Sequence, residues 1–234
     1  MNALWSHAIA QELRRAGCRH AVLCPGSRNS PLLFALAEAF GDDALSHVDE
    51  RSAAFIALGA IRAGGAPALV CVTSGSAFAN VLPAVAEAQA AALPLIVVAA
   101  DRPWEQHGCG APQTLAQVRA APRWFTHEVD LGEPSPDDRA VRRLRAAVSR
   151  AAQVRGPVLI NVPLREPLLD NAVPPGLSDV ARAGRADGAP YTRCTSGAPL
   201  DLTGLRGVIA VGPAPADPAL VARLAPATGF PVLA

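Results

Sequence analysis

The sequence predicts a doubly wound α/β fold built on a mostly parallel sheet, followed by the start of a second α/β domain. Three observations predict it. Short runs rich in Val, Leu and Ala alternate with helix-periodic segments from the first residues onward. One of these runs, Leu95–Ala100, is continuously apolar, as a strand buried on both faces must be. Helix breakers and caps fall at the junctions, among them Gly17, Ser30-Pro31, Gly41 and Gly64-Gly65. Right-handed crossovers between parallel strands then place helices on both faces of the sheet.

The elements follow in order. Leu4–Ala16 has helical spacing and stops at Gly17. His20–Cys24 is a short strand, after which Ser30 offers an N-cap and Pro31 suits the first helical position, for a helix running to about Ala39. Leu45–Val48 is a strand and Glu50–Ala63 a helix; Ala68–Thr73 is the next strand. Ala77–Ala92 is an Ala-rich helix that Pro83 should kink or delay. After Leu95–Ala100 comes a long polar loop, then strands Phe125–Leu131 and Val158–Val162 flanking a helix at Asp137–Val154. Residues 1–165 thus form one domain. Residues 166–204 turn to Pro, Gly, Ala, Arg and Asp without periodicity and read as a linker. Residues 205–234 hold a strand at Gly207–Gly212, a helix near Pro218–Leu224 and the start of a strand at Phe230–Leu233. One such unit cannot cover both faces of a sheet, so the expectation is a piece of a longer protein, ending inside a central α/β domain.

Composition narrows the function. The formal net charge is +1, with no basic block and no aromatic-interleaved basic patch, which argues against a nucleic-acid partner. The five cysteines are odd in number and form no CxxC pair, so neither a disulfide framework nor a zinc site is expected, and Cys71 reads as a core filler. The amino terminus lacks the pattern of a secretory signal, and the longest apolar run, around Ala90–Ala100, contains Pro94 and is too short to span a bilayer. No stable membrane insertion is expected, and the default location is cytoplasmic. A small-molecule protein is the resulting class.

Three strand-to-helix junctions carry the chemistry, and open α/β sheets bind ligands at that edge. Glu50, in His47-Val48-Asp49-Glu50-Arg51, is either a first-turn carboxylate favoured by the helix dipole, with Asp49 sharing that role, or a buried carboxylate facing a ligand nitrogen. The turn Pro25-Gly26-Ser27-Arg28 is either a tight βα loop or an anion site, with Arg28 as a bidentate donor. Thr73-Ser74-Gly75-Ser76 is a similar turn, where Gly75 lets a ligand approach the backbone; it is neither GxGxxG nor a P-loop. Asp101-Arg102-Pro103 follows the Leu95–Ala100 strand as a Pro-stopped loop, or as a second guanidinium for a polyanionic substrate. Gln113 alone is a weak signal, and His47 and His107 read as structural or solvent-facing.

Together these segments resemble the amino-terminal part of thiamine-diphosphate enzymes, namely the pyrimidine-binding domain and the start of the central domain. The nearest likeness is to the menaquinone-pathway family of 2-succinyl-5-enolpyruvyl-6-hydroxy-3-cyclohexene-1-carboxylate synthases. Cys24-Pro25-Gly26-Ser27-Arg28-Asn29-Ser30-Pro31-Leu32 is similar to that family's substrate-binding turn, and His47–Arg51 to the segment holding its catalytic glutamate. Thr73–Asn80 and Ala100–Pro103 match in order and spacing. The resemblance implies that Glu50 is catalytic, hydrogen-bonding N1′ of the cofactor's aminopyrimidine and favouring its 4′-imino form from an apolar, desolvated site. It implies that Thr73, Ser74, Gly75 and Ser76 line the thiamine diphosphate, and that Ser27, Arg28, Arg102 and Gln113 anchor the substrate carboxylates. The implied reaction decarboxylates 2-oxoglutarate and joins the remainder to isochorismate, with the cofactor as electron sink. The implied assembly is a homodimer or homotetramer, the cofactor lying between the pyrimidine domain of one subunit and the diphosphate domain of another.

The chain departs from the family in two places. Trp104-Glu105-Gln106 stands where the family has Pro-Glu-Leu, and Ala111-Pro112-Gln113 where it has Ala-Asn-Gln. The family's Gly-Asp-Gly…Asn segment, which holds Mg²⁺ and the diphosphate, is missing from these residues, and no metal ligand is assigned here. Two other readings stand beside the synthase: another thiamine-diphosphate lyase or carboligase of the acetolactate synthase type, and a non-catalytic module retaining the fold. Arg28 with Arg102 favours the first reading, because a monocarboxylate such as pyruvate needs fewer cationic anchors.

Overall fold

The computed structural model describes residues 1–170, 174–194, 201–202, 204–212 and 218–233. The chain divides into two compact units, Met1–Arg193 and Cys194–Ala234. The first opens with α1 (Asn2–Arg15), β1 (His20–Leu23), α2 (Ser30–Phe40), β2 (Ala44–Ser46) and α3 (Glu50–Gly64). It continues with β3 (Ala68–Val72), α4 (Ser76–Ala90), β4 (Leu95–Asp101), β5 (His127–Asp130), α5 (Asp138–Ala151), β6 (Val158–Pro163) and α6 (Asp179–Ala183). In the second, α7 (Pro218–Thr228) connects β7 (Ile209–Ala210) to β8 (Val232–Leu233), and these two strands pair in parallel.

The six strands of the first unit lie in the order β2-β1-β3-β4-β6-β5, all parallel. Alternation along each strand sends successive side chains to opposite faces. Leu69, Cys71, Ile96, Val98, Ile160 and Val162 pack with α1, α2 and α5 on one face. Val70, Val72, Val97, Ala99 and Leu159 pack with α3 and α4 on the other. Every residue of β3, β4 and β6 is buried. The doubly wound sheet is therefore as expected. The chain leaves β1 for the β2 edge and returns to β1's other side at β3, a reversal of the kind at whose carboxyl ends open α/β sheets bind ligands. A second reversal lies at β4, β6 and β5.

Local expectations shift in three places. Ser30 does not cap α2: Asn29 takes the N-cap position without a side-chain cap bond, and the Ser30 hydroxyl donates to the Gly26 and Ser27 carbonyls instead. Pro83 neither ends nor delays α4, which runs through it. Pro83 and Ala79, whose carbonyl loses its helical partner, are both exposed, while buried Val81, Ala84, Val85 and Ala88 hold the helix on the sheet. The expected linker, 166–204, is not a linker through its first part.

Residues up to Arg193 belong to the first unit, and α6 packs on α1 and α5. The cause is a buried ion pair that the sequence reading did not find. Arg145 of α5 and Glu12 of α1 are fully buried and 2.9 Å apart. Arg145 also donates to the Ala181 and Arg182 carbonyls at 2.9 and 2.7 Å, and Glu12 accepts from the Tyr191 amide at 2.8 Å. A buried charge needs such partners, so the segment after residue 165 is tied down. Residues 171–173, 195–200 and 203 of the expected linker lie outside the described residues.

Candidate functional site

At the first reversal, the two acidic residues that begin α3 separate their roles. Asp49 is the N-cap: its carboxylate accepts from the Ser52 amide at 2.8 Å, and this bond holds its pKa below the ordinary value. Glu50 is thereby free of the capping duty. It accepts instead from Asn80 Nδ2 of α4 at 3.4 Å, which turns it toward the helix that follows the Thr73–Gly75 turn. Cys24, at the end of β1, reports the proximity. Its buried thiol is pushed up to about 12, first by desolvation and then by the charges of Glu50 and Asp49.

The turns around Glu50 press against one another. A Cβ on Gly26 would stand 2.7 Å from Cβ of Thr73, so the β1 and β3 turns meet backbone to side chain. Gly75 has φ +76°, and a Cβ there would stand 2.7 Å from the Gln113 carbonyl. That close approach is a clamp. The Ser74 hydroxyl donates to the Gln113 carbonyl at 3.0 Å, and Gln113 Nε2 returns a bond to the Ser74 carbonyl at 3.0 Å. Gln113 itself adopts φ +58° to do so.

The two arginines lie within electrostatic reach of each other. Arg28, 5% exposed, donates from Nη1 to the Leu164 carbonyl at 2.7 Å and from Nη2 to Glu166 at 3.3 Å. Its Nε is buried without a partner among the described residues. Burial lowers its pKa first, and the charge of Arg102 lowers it further against the opposing effect of Glu166. Arg102 donates from Nη2 to the Pro112 carbonyl at 3.3 Å, so the departing Pro112 position takes part in holding it. Ser27 sits exposed at the tip of the β1 turn.

At the second reversal lies a cavity of about 410 Å³, lined among others by Asp101, Arg102, Trp104, His107, Gln117 and Asn161. Asp101 is buried beneath it, and its pKa is raised chiefly by desolvation. Among the described residues, no group of three or more His, Cys, Asp or Glu is placed to hold a metal ion, and no helix is long and apolar enough to cross a membrane.

Residues 5–120 match the family described as thiamine pyrophosphate enzyme, N-terminal TPP binding domain. The chain carries that domain of the thiamine pyrophosphate enzymes. Curated relatives similar to it are named 2-succinyl-5-enolpyruvyl-6-hydroxy-3-cyclohexene-1-carboxylate synthase. The protein of Myxococcus xanthus is 45% identical over 100% of this chain and 44% of its own length. That of Roseiflexus castenholzii is 42% identical over 99% of this chain and 44% of its own. That of Haloquadratum walsbyi is 41% identical over 100% of this chain and 41% of its own. The chain thus spans less than half the length of these relatives.

The carboxylate of Glu50, relieved of capping and turned toward the helix that follows the Ser74–Gly75 turn, is placed to meet a further donor, while the space beside Gly75 is taken by Gln113. The apolar, desolvated surrounding expected for Glu50 is incomplete within one chain, where the residue is half-buried. The sequence points to Glu50 and both arginines but not to the partners that orient them; Asn80 lies within Thr73–Asn80 with no local signal of its own. Asn161 carried a legible signal, as an amide in the otherwise apolar run Val158–Val162. Gln117 carried none.

Proposed function

We propose that this chain is the pyrimidine-binding part of a thiamine-diphosphate carboligase that joins decarboxylated 2-oxoglutarate to isochorismate. The observation that carries the reading is the split at the start of α3, where Asp49 caps the helix and Glu50 is left to Asn80 and a ligand. Thiamine diphosphate, when bound, supplies the electron sink that decarboxylation and carbon–carbon bond formation require. Glu50 then holds or releases a proton toward N1′ of the aminopyrimidine, with Asn80 fixing its orientation. Gly75 admits the Gln113 backbone against the β3 turn, which fixes that turn beside Glu50. Arg28 and Arg102 supply two positive charges for substrates that each carry two carboxylates, and the unpartnered Nε of Arg28 is a donor already desolvated. Ser27 and Gln113 flank them.

The working form in this reading is a homodimer or larger homo-oligomer. Val48, Phe55 and Ile56 are exposed beside Glu50, at 88%, 42% and 38%. A second copy covering them would also complete the desolvation of Glu50. Mg²⁺ and the diphosphate belong, in this reading, to sequence of the kind that the relatives carry beyond the matched part. The test is calorimetric titration of thiamine diphosphate with Mg²⁺ into this chain and into a form of the relatives' length, with steady-state assays on the latter. Tight, magnesium-dependent binding is expected only in the longer form, together with turnover of 2-oxoglutarate and isochorismate. Equal turnover of pyruvate would point to the acetolactate type instead. Micromolar, magnesium-dependent binding by this chain alone would overturn the division of the cofactor site.

A further inference from the structure

A chain of four hydrogen bonds, three buried and the last partly buried, connects the two turns that the proposed function uses separately. The Gly75 amide donates to Gln117 Oε1 at 2.9 Å, and Gln117 Nε2 donates to Asn161 Oδ1 at 2.8 Å. Asn161 Nδ2 donates to Asp101 Oδ2 at 3.0 Å, and the Arg102 amide donates to Asp101 Oδ1 at 2.7 Å. Gln117 Nε2 also reaches the Ala100 carbonyl at 3.2 Å. Gln117, Asn161 and Asp101 are 1%, 1% and 3% exposed, so water does not compete for these bonds. The geometry also fixes the direction of each bond. Asn161 Nδ2 faces the carboxylates of Asp101 and Asp130, so its Oδ1 must face Gln117, and the Gln117 amide can have only one orientation.

We propose that Gln117 is a positioning residue that sets the Gly75 turn and the Arg102 backbone in one fixed relation, coupling the cofactor-facing and substrate-facing parts of the site. The inference rests on the proposed function for the roles of Gly75 and Arg102, and on the geometry alone for their linkage. Gln117 lies in the same β4–β5 loop as Gln113, which clamps the neighbouring Ser74. The loop therefore grips the β3 turn at two adjacent residues: the Gln113 grip meets the Arg102 guanidinium through the Pro112 carbonyl, and the Gln117 contact continues to the Arg102 backbone.

Two variants test this in a form of the relatives' length. Gln117→Met keeps the length of the side chain and removes all three bonds. It should weaken thiamine diphosphate binding and raise the KM for both dicarboxylates, each about tenfold, the size of one lost buried hydrogen bond. Gln117→Glu keeps the acceptor for Gly75 but places a carboxylate against Asn161 Oδ1. Once protonated, that buried carboxyl again donates, so its KM defect should shrink on going from about pH 8 to about pH 6, while the Met variant shows no such recovery. The Gly75 amide should exchange hydrogen faster in Gln117→Met than in the parent. A lower melting temperature with unchanged cofactor affinity and KM, or a defect confined to one of the two ligands, would reduce Gln117 to a structural part. Absence of acid recovery in Gln117→Glu would also overturn the coupling. If the parent does not turn over the two dicarboxylates, the proposed substrates fail; faster Gly75 exchange with weaker cofactor binding in the Met variant would still support the linkage.

Discussion

Polar groups at the carboxyl edge of the sheet are open to further partners over β2, β1 and β3 and closed on one another over β4, β6 and β5, at the base of the cavity lined by Asp101, Gln117 and Asn161. On the open side Glu50 has one side-chain partner, Asn80, and its neighbours Val48, Phe55 and Ile56 are exposed. On the closed side Asp101, Gln117 and Asn161 satisfy one another out of water, and behind them Arg145 and Glu12 do the same between helices. The difference teaches that buried polar groups in this unit serve two ends. Where they are paired internally they hold loops in place; where a group is left half-paired, a ligand or a second chain is expected to complete it.

The sharpest break of this comparison lies on the closed side. Arg145→Leu leaves Glu12 buried with only Arg15, 3.5 Å away, as a cation and strips the Ala181 and Arg182 carbonyls of their donor, and should cost about 3 kcal/mol of the first unit's stability in chemical denaturation. On the open side Glu50→Gln should leave that stability unchanged and lower turnover in the longer form about a hundredfold or more. Steady-state rates with 2-oxoglutarate and isochorismate are the measurement; a rate within a few-fold of the parent would return Glu50 to a first-turn helix residue.

Arg28→Ala and Arg102→Ala stand at the boundary between the two sides. Each should weaken the dianionic substrates by roughly 1.5–3 kcal/mol while leaving thiamine diphosphate affinity nearly intact. Equal losses for substrate and cofactor would show that the guanidiniums do not serve the carboxylates. The smallest effect on folding is expected from Phe55→Ser with Ile56→Ser, which should change stability by no more than about 0.5 kcal/mol each. Light scattering should nevertheless show less self-association, because these side chains are exposed in the single chain. Unchanged association would place the contact on another face.

Much of the fold was legible because its signals are local. The apolar runs at Ala68–Val72 and Leu95–Ala100 became fully buried strands, and Gly65, in the left-handed conformation at φ 70°, ends α3 as its type predicts. Pro83 does not delay the start of α4, because a single residue's propensity is outweighed by the buried row Val81, Ala84, Val85 and Ala88. The segment around α6 carries no periodicity of its own, and what holds Ala181, Arg182 and Tyr191 is Arg145 and Glu12, two residues in helices far earlier in the chain.

The sequence by itself determined the parallel α/β architecture and the residue types that follow the strand ends, including Arg28, Glu50 and Arg102. Periodicity and turn chemistry depend only on near neighbours, so they can be read in one dimension. Only the tertiary structure decided that Asp49 caps α3 while Glu50 does not, and that Gln113 clamps Ser74. It also decided that Gln117 joins Gly75 to Asn161 and, through Asp101, to Arg102. A buried polar atom takes whichever partner the packed chain brings within about 3 Å, and that partner is set by the whole fold rather than by its neighbours in sequence.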